Sequence, residues 1–341
     1  MSVTELKART PLAGEERTLN GWGRTASSRS RVLRPRVVDE VPELLASQVR
    51  PAKGVIARGA ARSYGDAAQN DGGDVLDMTG LDRIVSIDTE RGAITAQAGA
   101  TMAQLMTRLA AHGLGLPVVP GTRHVTLAGA IASDIHGKNH HRDGGMARHV
   151  LGLTLCTPAA GPIELSPEAD PELFYATLGG MGLTGIVLEA TVRAERLESP
   201  WVFADLDRTD GLAQTLQLMG SEERHRYSVA WLDLLARGSK MGRAVISRAD
   251  PLSTDSAGGV RDRVPARKHG RGTAASAYPG TLLRAPALVV PRAFPGALLR
   301  PATVRAFNSL RWRSSPRRER GRPQALAPYF FPLDVLGEWN R

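Results

Sequence analysis

Apolar positions along this chain switch between helical spacing and short uninterrupted runs, and the switches mark out the elements. A helix is expected around Val38 to Val49, closed by Pro51. Val55, Ile56 and Ala57 read as a buried strand that runs into the loop RGAARSYGD, Arg58 to Asp66. Short strands follow at Val75 to Met78, Ile84 to Ile87 and Ala93 to Gln97. Thr101 and Gln104 then form a capping box, and Met102, Leu105, Met106 and Leu109 keep helical spacing up to Gly113, which suits the C′ position. Leu151 to Cys156, Ile163 to Leu165 and Leu183 to Val192 read as strands, with a helix between the last two that Asp170 caps, Pro171 opens and Gly179–Gly180 end. Short strands mixed with helices to about residue 195 make an α+β domain of two small lobes, and a second domain is expected from Trp201, after the charged linker Arg193 to Ser199.

The stretch VVPGTRHVTLAGAIASDIHGKNHH, Val118 to His141, breaks this rhythm. Thr126 is a plausible N-cap for a short helix from Leu127 to about Ser133. Between Ala128 and Ser133 every residue except Ile131 is Gly, Ala or Ser, so the helix can pack almost backbone to backbone. Its N-terminal N–H groups can face a pyrophosphate, or the helix is a tightly packed core element and nothing more. His136, Lys138, His140 and His141 follow within six residues. Zinc sites take three or four protein ligands, often at a spacing that puts two on one helix face; adjacent His140 and His141 do not suit this, and no metal is expected. The loop after Ala57 can turn several N–H groups toward a phosphate, yet it is neither GxGxxG nor a P-loop.

Composition narrows the class. Of the 341 residues 42% are hydrophobic and 23% charged, ordinary for a folded soluble protein, and the length suggests two domains. Only one cysteine, Cys156, is present, so no intramolecular disulfide and no Cys-rich zinc site can form. No apolar run approaches bilayer length and MSVTELKART lacks a signal core, so a cytoplasmic or peripherally membrane-attached protein is expected. The net charge of +10 is concentrated: Arg261 to Arg322 holds 15 Lys or Arg against Asp262 and Glu319, with seven prolines. That window reads as poorly structured and attracted to anionic membrane surfaces; nucleic acid is not expected, because no reader fold accompanies the charge.

GWGRT (Gly21 to Thr25), ARGAARSYGDAAQN (Ala57 to Asn70), PGTRHVTLAGAIASDIHGKNHH (Pro120 to His141), GGMGLTGIV (Gly179 to Val187) and FPLDVLGEWNR (Phe331 to Arg341) together resemble the decaprenylphosphoryl-β-D-ribose 2′-oxidase family of the vanillyl-alcohol oxidase superfamily. The resemblance implies a two-lobed PCMH-type FAD-binding domain over residues 1–195 and an α+β substrate domain over 196–341. It implies that Ala57, Arg58, Gly59, Ala60, Ala61, Arg62, Ser63, Tyr64, Gly65, Asp66 and Ala67, together with Gly121, Thr126, Leu127, Ala128 and Gly129, hold the pyrophosphate and ribityl chain. His136, Gly137, Lys138 and Asn139 would lie by the flavin, and Ile186 and Val187 by its adenine half. Arg62 stands where covalently flavinylated relatives carry histidine, so noncovalent FAD is expected. His136 is the candidate proton acceptor and Trp231, in YSVAWLD, the candidate sugar contact. A polyprenyl-phosphate sugar is the expected substrate, and an NAD-dependent reductase the expected consumer of the keto product. A sugar-lactone oxidase is the alternative. Family members continue past GEWNR with a lysine and a cysteine of the active site, and no Lys follows Lys268 here. The substrate domain is therefore expected to be incomplete, which leaves a noncatalytic flavin-binding remnant as a third reading.

Overall fold

The computed structural model describes residues 12–47, 53–220, 224–252 and 300–332. The first lobe is a four-stranded sheet with order β1-β2-β4-β3, built from β1 (Glu15–Asn20), β2 (Ser27–Leu33), β3 (Val55–Arg58) and β4 (Asp74–Asp77). β1 and β2 are antiparallel, whereas β2 and β3 both run parallel to the buried central strand β4. Helix α1 (Glu40–Ser47) links β2 to β3, and its Val41, Leu44 and Leu45 join Leu33 and Leu76 in a core. Arg31 clamps the fully buried Asp74 with two hydrogen bonds of 2.8 Å, which compensates a carboxylate that burial would otherwise penalise.

The second lobe is a five-stranded antiparallel sheet of order β5-β6-β10-β8-β9: β5 (Ile84–Asp88), β6 (Ala93–Gln97), β8 (Val150–Thr157), β9 (Gly161–Leu165) and β10 (Ile186–Arg193). One face carries polar cross-strand pairs such as Thr95–Thr191 at 2.9 Å; the other packs on α2 (Met102–Ala110) and α3 (Leu127–Ala132). The expected capping box of α2 is present in full, with Met102, Leu105, Met106 and Leu109 buried. Gly113, placed at C′ from the sequence, lies two residues past the cap Ala111, at φ 71°. Two-residue strands β7 (Leu114–Gly115) and β11 (Glu195–Arg196) pair with each other, so the charged linker expected at 193–199 is partly held to the lobe. Short helix α4 (His140–Asp143) follows α3, and α5 (Pro171–Thr177) starts as expected with Asp170 accepting from the Leu173 N–H.

Beyond these lobes lies a second four-stranded antiparallel sheet, order β13-β14-β12-β15, from β12 (Trp201–Thr209), β13 (Tyr227–Leu232), β14 (Ala244–Pro251) and β15 (Arg318–Ala325). Helices α6 (Leu212–Gly220), α7 (Pro301–Ser314) and α8 (Leu326–Phe330) accompany it. The α+β class is thus as expected, with the β-rich sheet following the two lobes.

One expectation is corrected here. The basic window was read as poorly structured, but its described part, 300–322, contains α7 and most of β15. Pairing supplies what composition hides: β15 adds to β12 as an edge strand, and Arg320 reaches Asp205 and Asp207 on it. Residues 261–299 lie outside the described residues. Val202, Ala204, Tyr227, Ala249 and the α8 residues Tyr329 and Phe330 bury themselves in the same apolar cluster as Leu105, Leu116 and Val119, so the core runs on from the second lobe into the last sheet.

Candidate functional site

The two lobes enclose an open groove of about 800 Å³, solvent at its mouth included. Its first wall is the loop after β3. Arg58 ties the start of that loop to its end, donating to Ala68 O at 2.9 Å, and to β1, donating to Asn20 O at 2.6 Å. Ala61 sits in the left-handed region at φ 57°, a costly conformation for a residue with a Cβ, and it turns the chain sharply. The carbonyls of Ser63 and Tyr64 accept from Trp22 and Gly23, at 2.7 and 3.2 Å. A Cβ on Gly21 would come 2.0 Å from Gly65 O, so this docking requires glycine. Among the described residues, the N–H groups of Ala60, Ala61, Arg62 and Ser63 find no protein acceptor. Successive amides left free in a tight turn form a cradle for an anion.

The second wall is α3 with its cap Thr126, whose hydroxyl accepts from the Gly129 N–H at 3.3 Å. Gly59 lies so close that a Cβ there would stand 2.2 Å from Thr126 Oγ1. Here a second expectation fails. The first N–H groups of α3 were read as able to face a pyrophosphate, but Leu127 N–H donates to Ala100 O at 2.7 Å and Ala128 N–H to Ala98 O at 3.0 Å. Two carbonyls just past the end of β6 satisfy the helix start, so the free donors belong to the loop opposite. Met181, Gly182, Gly185 and Val187 make the third wall, with Met78 and Ala98 lining the groove beside them.

Of the residues singled out in the sequence, the groove gathers Ala57, Arg58, Gly59, Ala60, Ala61, Arg62, Ser63, Ala67, Thr126, Ala128, Gly129 and Val187. It does not gather the rest. Tyr64, Gly65, Asp66 and Gly121 are exposed, and Leu127 and Ile186 are buried in the core. His136, Gly137, Lys138 and Asn139 lie on a separate turn held by the bridge His136–Gly145 and by Asn139 donating to Pro117 O at 2.7 Å. His136 is exposed and meets the His140 ring edge-on at 5.6 Å. His141 bonds His225 O and His149 bonds Asp143 O, each at 3.0 Å. Trp231 is half-buried on β13 opposite Val245.

Three further groove residues, Met181, Gly182 and Gly185, belong to the quoted motif GGMGLTGIV, of which only Ile186 and Val187 were named as cofactor contacts; Met181 has φ 54°. Another contact had no signal in the sequence. Lys138 Nζ donates to the carbonyls of Tyr329 and Phe330, at 2.6 and 3.3 Å, and lies 4.9 Å from the centre of the Tyr329 ring. Burial without a carboxylate in contact pulls its pKa down to about 8.

The residues present fit an anionic dinucleotide. Arg62 donates to Ala60 O at 2.8 Å and lies 5.2 Å over the Trp22 ring, while its buried Nε has no partner. Burial lowers its pKa, the mark of a guanidinium short of solvation, and four free amides adjoin it. The Ala and Gly walls leave room for flat rings to slide in beside this cradle. FAD, with a diphosphate between two planar groups, has that shape and charge.

Comparison with known proteins places the groove in a class. Residues 30–166 match the family described as FAD binding domain. The whole chain is 39% identical to a decaprenylphosphoryl-beta-D-ribose oxidase of Mycolicibacterium smegmatis, of which it spans 70%. The chain therefore belongs to the decaprenylphosphoryl-β-D-ribose oxidase family of FAD-linked oxidoreductases. Half of it is also similar to sugar-lactone enzymes: 32% to an L-gulonolactone oxidase of Bos taurus, spanning 39% of that protein, and 30% over 54% of the chain to an L-galactono-1,4-lactone dehydrogenase of Oryza sativa, spanning 31% of it.

Proposed function

We propose that this chain holds FAD noncovalently and oxidises the 2′-hydroxyl of decaprenylphosphoryl-β-D-ribose, a step toward cell-wall arabinan precursors. The observation that supports this substrate over a sugar lactone is the extent of similarity. The mycobacterial relative matches across the whole chain, β12 to β15 included, whereas the lactone enzymes match about half of it.

FAD, when bound, supplies the hydride acceptor. The amides of Ala60 to Ser63 and the Arg62 guanidinium would bind its diphosphate, and Arg62 offers no imidazole for a covalent link. Thr126 and the Ala and Gly residues of α3 would hold the opposite side. His136 would take the proton of the hydroxyl as the carbinol hydrogen leaves, a role open to an imidazole near neutral pH. Lys138 would fix this turn against α8, and Trp231 would contact the sugar. The keto product is a substrate for an NAD-dependent reductase.

Anaerobic single-turnover reduction tests the reading. Mixing the FAD-loaded protein with a short-chain polyprenylphosphoryl-β-D-ribose should bleach the visible flavin absorbance, and L-gulono-1,4-lactone should not. His136→Ala should slow the bleaching by roughly 10² while FAD remains bound. Bleaching by the lactone alone would move the chain to the lactone oxidases, and bleaching by neither would favour a noncatalytic flavin-binding remnant.

A further inference from the structure

Where the last sheet meets the second lobe, one guanidinium bridges two carboxylates. Arg226, the residue before β13, stands on the sheet side; Asp143, the last residue of α4, and Glu195, the first of β11, stand on the lobe side. Arg226 Nη2 donates to Glu195 Oε1, and its Nε lies 3.5 Å from Asp143 Oδ2. The Arg226 side chain is only 18% exposed, so water and salt screen these contacts less than at an open surface. The backbone is held on both sides of it. Arg226 N–H donates to Asp250 Oδ1 and Ser228 N–H to Lys138 O, each at 2.7 Å, and His141 Nε2 bonds His225 O at 3.0 Å.

Asp143 carries this connection on to the turn of His136. The Oδ2 that faces Arg226 also accepts from Asn139 Nδ2, which donates as well to Pro117 O at 2.7 Å. Asn139 is 1% exposed, and both protons of its amide are thereby committed. Gly137 lies against the same amide: a Cβ there would stand 2.7 Å from Asn139 Oδ1 and 2.9 Å from Val119 O. The amide is the floor of the turn, one residue from His136. Lys138 already ties this segment to α8, and Ser228 ties it to β13. What the Arg226–Asp143 pair adds is a grip on the Asn139 amide.

We propose that Arg226 is a positioning residue for the proton acceptor: through Asp143 and Asn139 it holds the turn of His136 in register with β13, the strand that carries Trp231. The proposal rests on the roles given to His136 and Trp231 under the proposed function. No bond forms or breaks at Arg226. Its charge fixes the Asp143 carboxylate, and the carboxylate fixes the amide beneath Gly137. A displacement of about 1 Å transmitted from outside the reacting groups can cost on the order of 10² in rate, so a grip of this kind matters to the chemistry.

Anaerobic single turnover of the FAD-loaded full chain with a short-chain polyprenylphosphoryl-β-D-ribose tests the proposal, together with the Cε1–H NMR resonance of His136, assigned by its loss in His136→Ala. Arg226→Gln and Asp143→Asn should each lower the limiting rate of flavin bleaching by roughly tenfold, while half-saturation by the sugar moves by no more than about threefold. Arg226→Lys should recover part of the rate. In the His136→Ala background the same substitutions should cost nothing further, because their effect passes through His136. The His136 resonance, single in wild type, should shift or split in both variants. Thermal unfolding checks each fold, and Asp143→Asn, which keeps an oxygen for Asn139, serves if Arg226→Gln does not fold. A full additional loss in His136→Ala, a change confined to half-saturation, or an unmoved resonance in a folded variant would each overturn the proposal. Failure of wild type to bleach would sink the substrate reading instead, and the resonance alone would then decide the positioning.

Discussion

A Cβ at residue 59 and the Thr126 hydroxyl cannot share the space they would occupy, 2.2 Å apart. Gly59→Ala must therefore displace the cap of α3. We expect a loss of about 1 kcal/mol in unfolding free energy and a fall in FAD affinity of roughly tenfold or more, by urea denaturation and flavin titration. Wild-type affinity in a folded variant would show that the loop and cap do not jointly shape the site. Lys138 gives a pH signature. Its pKa is about 8 in the folded chain, from an ordinary 10.5. Below about 8 both states carry the proton; between about 8 and 10.5 the unfolded chain keeps it and the folded chain sheds it, so stability rises with pH. The rise is at most about 3 kcal/mol, and Lys138→Met should abolish it. Tyr227, raised to about 12 by burial, contributes the opposite slope above its ordinary pKa, but it is common to both proteins and cancels in the difference. Urea unfolding of the pair at several pH values should show wild type gaining on the variant across that window; parallel curves would remove the assignment.

At the scale of elements, local signals were sufficient where a side chain completes its own helix. Thr101–Gln104, Thr126 and Asp170–Pro171 each announce a start, and the structure has all three. Strands held by distant partners gave no such signal. EERTLN and SSRSRVL carry no apolar alternation that marks a strand, yet they form β1 and β2, because β2 lies against the buried β4 and Arg31 finds Asp74 there. RERGRPQA contains Gly321 and Pro323 and alternates poorly, which an edge strand tolerates. It is held by Asp207, which accepts from both Arg320 and the buried Arg248. Asp207→Ala should cost about 3 kcal/mol or more in urea denaturation, since it breaks the ion pair with the buried Arg248. A cost below about 1 kcal/mol would mean that β15 is retained by backbone pairing alone.

In the molecule as a whole, the lobes and the last sheet share one apolar cluster, tightened by Lys138 Nζ on Tyr329 O and by Ser228 N–H on Lys138 O at 2.7 Å. We expect one cooperative thermal transition by calorimetry; two resolved transitions would separate the sheet from the lobes. This scale was the least legible in sequence, because residues 138 and 329 are 191 positions apart and neither carries a motif for the other. The site was legible by halves. The loop after β3 could be read from its glycine and small residues, but nothing local reveals that Ala98 and Ala100 occupy the first donors of α3 and leave the free amides to the loop opposite. The central claim is that this loop holds an FAD diphosphate without a covalent bond. Titrating the purified chain with FAD, then precipitating it with acid, tests that claim most directly. Saturable one-to-one binding, with all the yellow colour released to the supernatant, is the predicted result; colour retained in the pellet, or a chain that FAD neither colours nor stabilises, would contradict it.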